Sequence, residues 1–416
     1  MHDLEAITSE SLTSKASRLR VAIVTETFPP EVNGVAMTLG RIVAGLLERG
    51  HTVQLMRPRQ LGEEDHAVEG ALEQVLFRGM PVPTYPELRL GFPAYNRLVK
   101  LWKRERPDIV HVVTEGPLGW SAVAAANQLQ LPVRSSFHTN FQSYSRYYGI
   151  GIFRTLIEGH LRRLHNRTLA TMVPTKAVLQ DLQALAFDHV TLLSRGVETR
   201  QFSPCKRSTD LRERWGVGID DLVVMNVGRL AKEKNIGTVI AAFRAIQLRL
   251  PSARLVFVGD GPERRKLEES CSFAIFAGVQ EGEALARHYA SGDVFLFPSL
   301  TETFGNVVPE ALASGLAVVS YDCAAAHELI TKDLNGVLVS GGKELDFVEA
   351  ALSLALNGQR QNTLRQNAAA SVAHLSWDAI CKRFVDILSD VIQRHGQQHA
   401  GAALVAGSVL VNRSNA

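Results

Sequence analysis

A rhythm of short apolar runs, each followed by a loop and a helical stretch, constrains this chain more than any other feature. The run "LRVAIVTE" (19–26) leads into a glycine-containing loop, "TFPPEVNGVA". An amphipathic stretch follows, "MTLGRIVAGLLERG", closing on Gly50 where a helix end takes a residue free to adopt positive φ. "HTVQLMRP", "PDIVHVVTE" (107–115) and "LPVRSSFH" (131–138) continue the series. Near-continuous apolar runs belong to strands covered on both faces, and strand–helix alternation builds a parallel sheet. The rhythm restarts at "DLVVMNVGRL" (221–230) and passes through "ARLVFVGDG" (253–261), "SFAIFAG" (272–278), "DVFLFPS" (293–299) and "LAVVSYD" (316–322). Between the two series, "SRGVETRQFSPCKRSTD" (194–210) is polar and aperiodic. The pattern predicts an α/β chain of two doubly wound, Rossmann-like parallel-sheet domains, residues 20–195 and 211–375, joined by a linker at 196–210. The C-terminal ends of the two sheets would then face one cleft, where ligands of open α/β sheets bind.

The flanks read differently. Residues 1–19 carry early acids and no apolar core, so they are not a secretory signal and are expected to form a flexible lead. "SWDAICKRFVDILSDVIQRH" (376–395) predicts a long closing helix. The tail, 396–416, is weakly patterned and too briefly apolar to span a membrane; disorder or a weak contact is expected there. Apolar residues at 46% can fill two cores, while a net charge of +3 is too mild to argue for nucleic acid. Four scattered cysteines (Cys205, Cys271, Cys323, Cys381) show neither a disulfide framework nor zinc-ligand spacing and fit a reducing cytosol.

The chemistry sits in the loops. "LTETFGNVVPEALASG" (300–315) holds Glu302 and Glu310 around a glycine, an asparagine and a proline. It follows a strand run and opens a helix, with Asn306 suited to the cap and Pro309 to the first turn. A helix start offers free N–H groups and partial positive charge to a phosphate, and Gly305 lets that phosphate approach the backbone. A carboxylate would repel the phosphate, so the acids suit sugar hydroxyls on either side of it. Glu310 would hold a ribose, the turn a diphosphate and Glu302 a second sugar, which is the layout of a nucleotide sugar. A capped helix with two surface acids would show the same residues.

In "NVGRLAKEKNIGTVIAAF", Arg229 and Lys234 stand between a strand and a helix. A planar guanidinium fork and a compact ammonium suit phosphate oxygens, so the pair can serve a departing nucleoside diphosphate where no metal does. The alternative is an exposed basic loop that includes Lys232. Asn33 and Gly34 precede the first helix, whose backbone N–H groups can also meet a phosphate; such turns are common, and this one says little alone. His138 ends a strand, ahead of Thr139 and Asn140. A lone histidine is more often a structural hydrogen bonder than a catalyst. The chain has no Asp-x-Asp triplet to hold a cation on a diphosphate, no Gly-x-Ser-x-Gly elbow and no Gly-x-x-x-x-Gly-Lys loop. "GDGPE" (259–263) reads as a turn.

Together, "ETFPPEVNGVA", "FHTNF", "SRGVETRQFSP", "NVGRLAKEKN", "FVGDGP" and "TETFGNVVPEALASG" resemble the retaining nucleotide-sugar glycosyltransferases of family 4. The resemblance runs from residue 20 to residue 330, and the closing helix fits it too. Its specific part is Glu-x7-Glu (Glu302, Glu310) with Arg-x4-Lys (Arg229, Lys234) in the same half. The first-half segments, including "RYYG" (146–149), look most like the GDP-mannose-dependent α-mannosyltransferases and sulfoquinovosyl-type lipid transferases. The resemblance implies the GT-B architecture, with Arg229 and Lys234 on the diphosphate, Glu310 on the ribose and Glu302 on the donor sugar. It further implies backbone contacts from Gly305, Asn306 and Val307, with Val279 beside the base. His138 would sit near the reacting carbon, and Gly34 would approach the phosphate from the first domain. The family often has two glycines where Asn33 and Gly34 stand, which leaves the acceptor-side contact open.

So read, the chain is a hexosyltransferase, metal-independent and without a cofactor, moving a hexose, mannose foremost, from a nucleotide diphosphate sugar to a lipid or glycan acceptor. An epimerase of the same architecture and a non-catalytic nucleotide-sugar sensor are the alternatives. "YNRLVKLWKRERPD" (95–108) places Arg97, Lys100 and Arg104 on one helical stripe and Leu98, Leu101 and Trp102 on another; "FRTLIEGHLRRLHNR" (153–167) is also basic. Such helices can lie on anionic lipid, here the inner face of a cytoplasmic membrane, or pack their apolar face on the sheet.

Overall fold

The computed structural model describes residues 18–413 apart from 32, 61–62, 64–65, 83–84, 139–150, 301 and 303. Thr139, Asn140, the "RYYG" segment and residues 1–17 of the lead therefore lie outside the described residues. The first half contributes β1 (Arg20–Val24), β2 (Thr52–Pro58), β3 (His66–Glu69), β4 (Leu72–Phe77), β5 (Gly79–Val82), β6 (Tyr85–Gly91), β7 (Ile109–Val112), β8 (Val133–Ser136), β9 (Thr171–Val173) and β10 (Val190–Leu192). The second contributes β11 (Val223–Val227), β12 (Arg254–Val258), β13 (Ala274–Phe276), β14 (Val294–Phe297), β15 (Ala317–Tyr321) and β16 (Gly336–Val339).

Two large sheets result, ordered β10-β9-β8-β7-β1-β2-β4-β3 and β13-β12-β11-β14-β15-β16, with β5 and β6 paired apart from them as a two-stranded antiparallel ribbon. The second is parallel throughout; in the first only the β3–β4 pair is antiparallel. The central strands are buried on both faces, which is why β1, β11 and β14 are runs of apolar residues rather than alternations. In each sheet the winding reverses at the middle, between β1 and β7 and between β11 and β14. Loops leaving those strand ends part to opposite faces and open a crevice.

The first helix, Gly34–Glu48, buries Leu39, Ile42, Val43 and Leu46, the stripe that a 3.6-residue period dictates. Asn33 caps it, accepting hydrogen bonds from the Val35 and Ala36 N–H groups at 3.1 and 2.9 Å. The basic helix Tyr95–Arg104 buries Leu98 and Trp102 on the sheet, so its apolar stripe is taken by the core. The hairpins β3–β4 and β5–β6 and the short strands β9, β10 and β16 were not legible in the sequence. They carry only three to seven residues each and no long apolar run.

The two passages of the chain between the halves meet side by side. Val197 bridges Ser376 and its N–H donates to the Leu375 carbonyl at 2.8 Å. A Cβ at Gly196 would stand 2.5 Å from the Trp377 indole, so the two crossings are packed backbone against ring. The helix beginning at Trp377 then runs along the first half. Cys381 sits over Gly45, Arg49 pairs with Asp378 at 2.5 Å, and the Phe384 ring lies under the Arg134 guanidinium at 4.1 Å. The sequence reading ends this helix at His395, whereas the backbone stays helical to Arg413. The segment after Gly396 is alanine-rich and proline-free, which favours continuation over the disorder expected from its weak patterning.

Candidate active site

β11 ends at Val227 and the chain turns through Gly228, Arg229 and Leu230 into a short 3₁₀ turn, Lys232–Lys234. Asn235, left-handed at φ +52°, ties this loop to the one after β14 by donating from Nδ2 to the Pro298 carbonyl at 2.9 Å. The same juncture brings Lys234 Nζ onto Glu302 Oε1, which also accepts from Ser299 Oγ at 2.8 Å. Arg229 instead points outward, its side chain 63% exposed and 4.0 Å from Glu233. The loop rests on "GDGP": Leu230 N–H donates to the Asp260 carbonyl, and a Cβ at Gly259 or Gly261 would stand 2.0 Å from Gly228 O or 2.4 Å from Leu230 O. That segment is a turn, as its sequence suggests, and also the floor on which the cationic loop lies.

Past β14, Gly305 takes φ +85°, which a side chain would strain, and the helix Val307–Ala313 starts beside it. Asn306 occupies the cap position but makes no capping hydrogen bond, contrary to the expected role of its side chain; its Oδ1 is buried without a partner among the described residues. The turn instead adopts helical φ and ψ already at Asn306, which carries the side chain away from the cap geometry. Glu310 accepts from the Tyr289 hydroxyl at 2.9 Å. Burial raises its pKa to about 7, against the pull of that hydrogen bond. Val279 is exposed in the loop after β13.

Three residues of the first half face these loops. Gly34 opens the first helix, and Asn33 takes two of that helix's N–H groups. His138 follows β8; its Nδ1 is buried without a partner among the described residues. Burial, and then the charge of Arg195, lower its pKa to about 4, so the imidazole is neutral at pH 7. Arg195 is the residue the sequence reading missed. Its guanidinium lies over the Phe304 ring at 5.8 Å, within the electrostatic reach of Glu302 and of His138, and against Gly34. It is the last residue of the first predicted domain, in the polar, aperiodic stretch 194–210. The sequence offered no periodic signal for it, because β10, the strand it follows, has only three residues and no apolar run to read. A cavity below this group is lined by Thr38, His111, Ser136, His138, Arg195 and Phe384. Among the described residues no cluster of His, Cys, Asp or Glu has the arrangement of a metal site.

Comparison with known proteins reads this geometry. Residues 32–201 match the family model described as Glycosyltransferase Family 4, and residues 221–357 match the model described as Glycosyl transferases group 1. Over 387 residues, 92% of this chain and 99% of the relative, the sequence is 33% identical to a GDP-mannose-dependent alpha-mannosyltransferase of Mycobacterium tuberculosis. The chain belongs to glycosyltransferase family 4. This glycosyltransferase is also 31% identical to the sulfoquinovosyl transferase SQD2 of Arabidopsis thaliana, over 77% of this chain and 66% of that one. Its fold superimposes on the sucrose-phosphate synthase of Thermosynechococcus elongatus with a TM-score of 0.70 at 18% identity, covering 91% of this chain and all of the other. The architecture is GT-B, two Rossmann-like units, and the family is one of transferases that take a hexosyl group from a nucleotide sugar. Transfer is thereby favoured over the epimerase and the sensor.

Proposed function

We propose that this glycosyltransferase moves mannose from GDP-mannose to a lipid or glycan acceptor, with retained anomeric configuration and without a divalent cation. The observation that carries this reading is the meeting of Lys234 and Glu302 at the switch point between β11 and β14, with His138 and Arg195 opposite. The mannosyltransferase relative supports the choice of donor. Lys234 and Arg229 hold the diphosphate, Glu310 the ribose, and Val279 flanks the base. Glu302 and the backbone of Gly305, Asn306 and Val307 hold the sugar and its phosphate, and Gly34 closes on the phosphate from the first half.

The charges suggest how the site is used. In the free protein the Glu302 carboxylate occupies Lys234. A donor phosphate competes for that ammonium and releases Glu302 to the sugar hydroxyls. As the bond from sugar to phosphate breaks, the diphosphate gains negative charge and the anomeric carbon becomes positive. Once the donor has drawn Lys234 and Arg229 onto its phosphates, these cations stabilise the first change. The acceptor hydroxyl attacks on the face the diphosphate leaves, and its proton passes to the departing phosphate oxygen. His138, held neutral, offers the sugar a hydrogen-bonding nitrogen without placing a second positive charge beside that carbon.

We also propose that residues 20–195 and 211–375 act as two units, with 196–210 as the hinge. The exposed Arg97, Lys100 and Arg104 would meet anionic lipid at the inner face of the membrane. Their helix has its apolar stripe in the core, so attraction rather than insertion would drive that contact, helped by Met80, Leu90 and Phe92, exposed in the stretch of chain before it. No helix among the described residues is long and apolar enough to cross a membrane.

The test is a donor and acceptor screen. Purified protein is given GDP-mannose, UDP-glucose or ADP-glucose, with and without lipid acceptors. GDP release that requires the acceptor, with the donor's configuration found in the new linkage by NMR, is expected. A new sugar epimer formed without an acceptor, or binding with no turnover under every combination, would replace this reading with the epimerase or the sensor.

A further inference from the structure

Arg195 carries a charge that no contact neutralises. The residue is 8% exposed and its Nε is buried without a hydrogen-bond partner. Among the described residues it forms no ion pair; the Glu302 carboxylate reaches it only as a longer-range field. Leaving a guanidinium desolvated and unpaired costs several kcal/mol, about what breaking a buried ion pair costs. Arg134 is also buried without a hydrogen-bond partner, but on Phe384 in the core, whereas Arg195 stands beside the loops of the proposed donor site.

The surroundings point to a phosphate. On one side Arg195 Nη1 lies 2.9 Å from where a Cβ on Gly34 would stand. On the other is Phe304, between Glu302 and Gly305. His138 is the third neighbour. Each of these residues flanks the place proposed for the junction of sugar and diphosphate, and a planar fork suits phosphate oxygens. The other two cations are not ready in the free protein: Lys234 is held by Glu302, and Arg229 points into solvent. Arg195 is already desolvated and in place.

We propose that Arg195 is a third phosphate-binding cation, which meets the leaving diphosphate from the first half of the chain while Arg229 and Lys234 meet it from the second. A side chain at position 34 would push the guanidinium from this place, since its Nη1 stands 2.9 Å from where a Cβ would be. This inference rests on the donor-site reading above. It adds a catalytic residue at the end of the first half, two residues before the Val197–Ser376 bridge, so the phosphate contact adjoins the crossing point. Arg195 is mounted between β10 and the Val197–Ser376 bridge.

The experiment compares binding of GDP, UDP and ADP, each beside its nucleoside, to the wild type, Arg195→Met and Arg195→Lys by calorimetry, with thermal unfolding to verify the fold. For the preferred base, Arg195→Met should weaken the nucleoside diphosphate on the order of ten- to a hundredfold, the scale of losing a hydrogen bond to a charged group, and leave the nucleoside unchanged. Arg195→Lys should recover most of the loss. Gly34→Ala should weaken the diphosphate in the wild type and add less than about threefold on top of Arg195→Met, because their effects couple through one contact. Equal losses for nucleoside and diphosphate, or no loss for either, would overturn the proposal and leave Arg195 a packing residue. If Arg195→Met does not fold, Arg195→Gln, which keeps hydrogen bonding and drops the charge, serves the same comparison. A wild type that binds no nucleoside diphosphate would sink the donor reading as well; a wild type that binds it and a variant that binds it equally would sink this proposal alone.

Discussion

Burial decides the protonation of the residues around the donor, and it acts in opposite directions on acid and base. His138 is kept neutral, its pKa lowered to about 4. His138→Ala should lower kcat on the order of a hundredfold or more while changing KM little, if its hydrogen bond to the sugar tightens as the glycosidic bond breaks. An unchanged kcat would return it to a structural role. Burial pushes Glu310 the other way, raising it from 4.5 to about 7. Glu26, which accepts from the Leu118 N–H at 3.4 Å, is also raised to about 7 by burial. A carboxyl raised in the folded state keeps a proton that the unfolded chain gives up. The stability it contributes is intact below its unfolded value and is lost as pH rises through its folded value. Glu310 and Glu26 should therefore take stability from the free protein between about pH 5 and about pH 8, opposed below about pH 6.5 by depressed histidines such as His138, and Glu310→Gln should remove the Glu310 share of that loss. Parallel unfolding-midpoint curves for the two proteins across this range would show that Glu310 does not titrate as its surroundings suggest.

Among the elements, the closing helix shows most plainly what packing decides. A Cβ on Gly45 would stand 2.3 Å from Cys381 Sγ, so the first helix and the closing helix approach as closely as a glycine allows. Gly45→Ala should cost about 1–3 kcal/mol by overpacking, measured in urea, and Cys381→Ala should relieve part of it. Phe384, 2% exposed, stands edge-on to His111 at 5.3 Å and under Arg134 at 4.1 Å. Phe384→Ala should cost about 3–5 kcal/mol. A loss below 1 kcal/mol would mean that the helix is not docked there in solution. The start of the second half is fixed by charge: the buried Asp293 carboxylate pairs with Arg207, Arg212 and Arg365 at 2.8, 3.2 and 3.1 Å. One acid serving three arginines makes that segment a fixed mount for whatever moves between it and Arg195.

For the molecule as a whole, the proposed chemistry turns on cations supplied by both halves. Excess EDTA should leave the rate nearly intact, while Arg229→Ala or Lys234→Ala should cost roughly two to three powers of ten in kcat, the scale of one preorganised electrostatic donor. Activity lost in EDTA and restored by Mg²⁺ would overturn the metal-free mechanism. Membrane contact is also a property of the whole surface. Binding to anionic vesicles should fall as salt is added, because exposed charges are screened beyond about 10 Å at 0.1 M. Reversing Arg97, Lys100 and Arg104 together should abolish it; equal binding to neutral vesicles would argue against charge as its cause.

The sequence by itself determined the layers and the loops. Doubly buried strands must be apolar runs, parallel neighbours must be joined by helices, and a chain built this way exposes its chemistry at strand ends. That was enough to single out Arg229 and Lys234 past β11, Glu302 past β14, and Glu310 in the helix that follows. Periodicity is local, and it does not report which separate loops meet. Only the tertiary structure put Lys234 on Glu302, 68 residues apart, laid "GDGP" beneath the Arg229 loop, and set Gly34 against Arg195. Only packing settled that the apolar stripe of the basic helix belongs to the core, and that the closing helix docks its Phe384 on Arg134 of the first half. The polar stretch holding Arg195 has no hydrophobic period, since its residues are fixed by contacts from both halves rather than by burying one face. Its place in the crevice is decided by long-range packing, which no local pattern encodes.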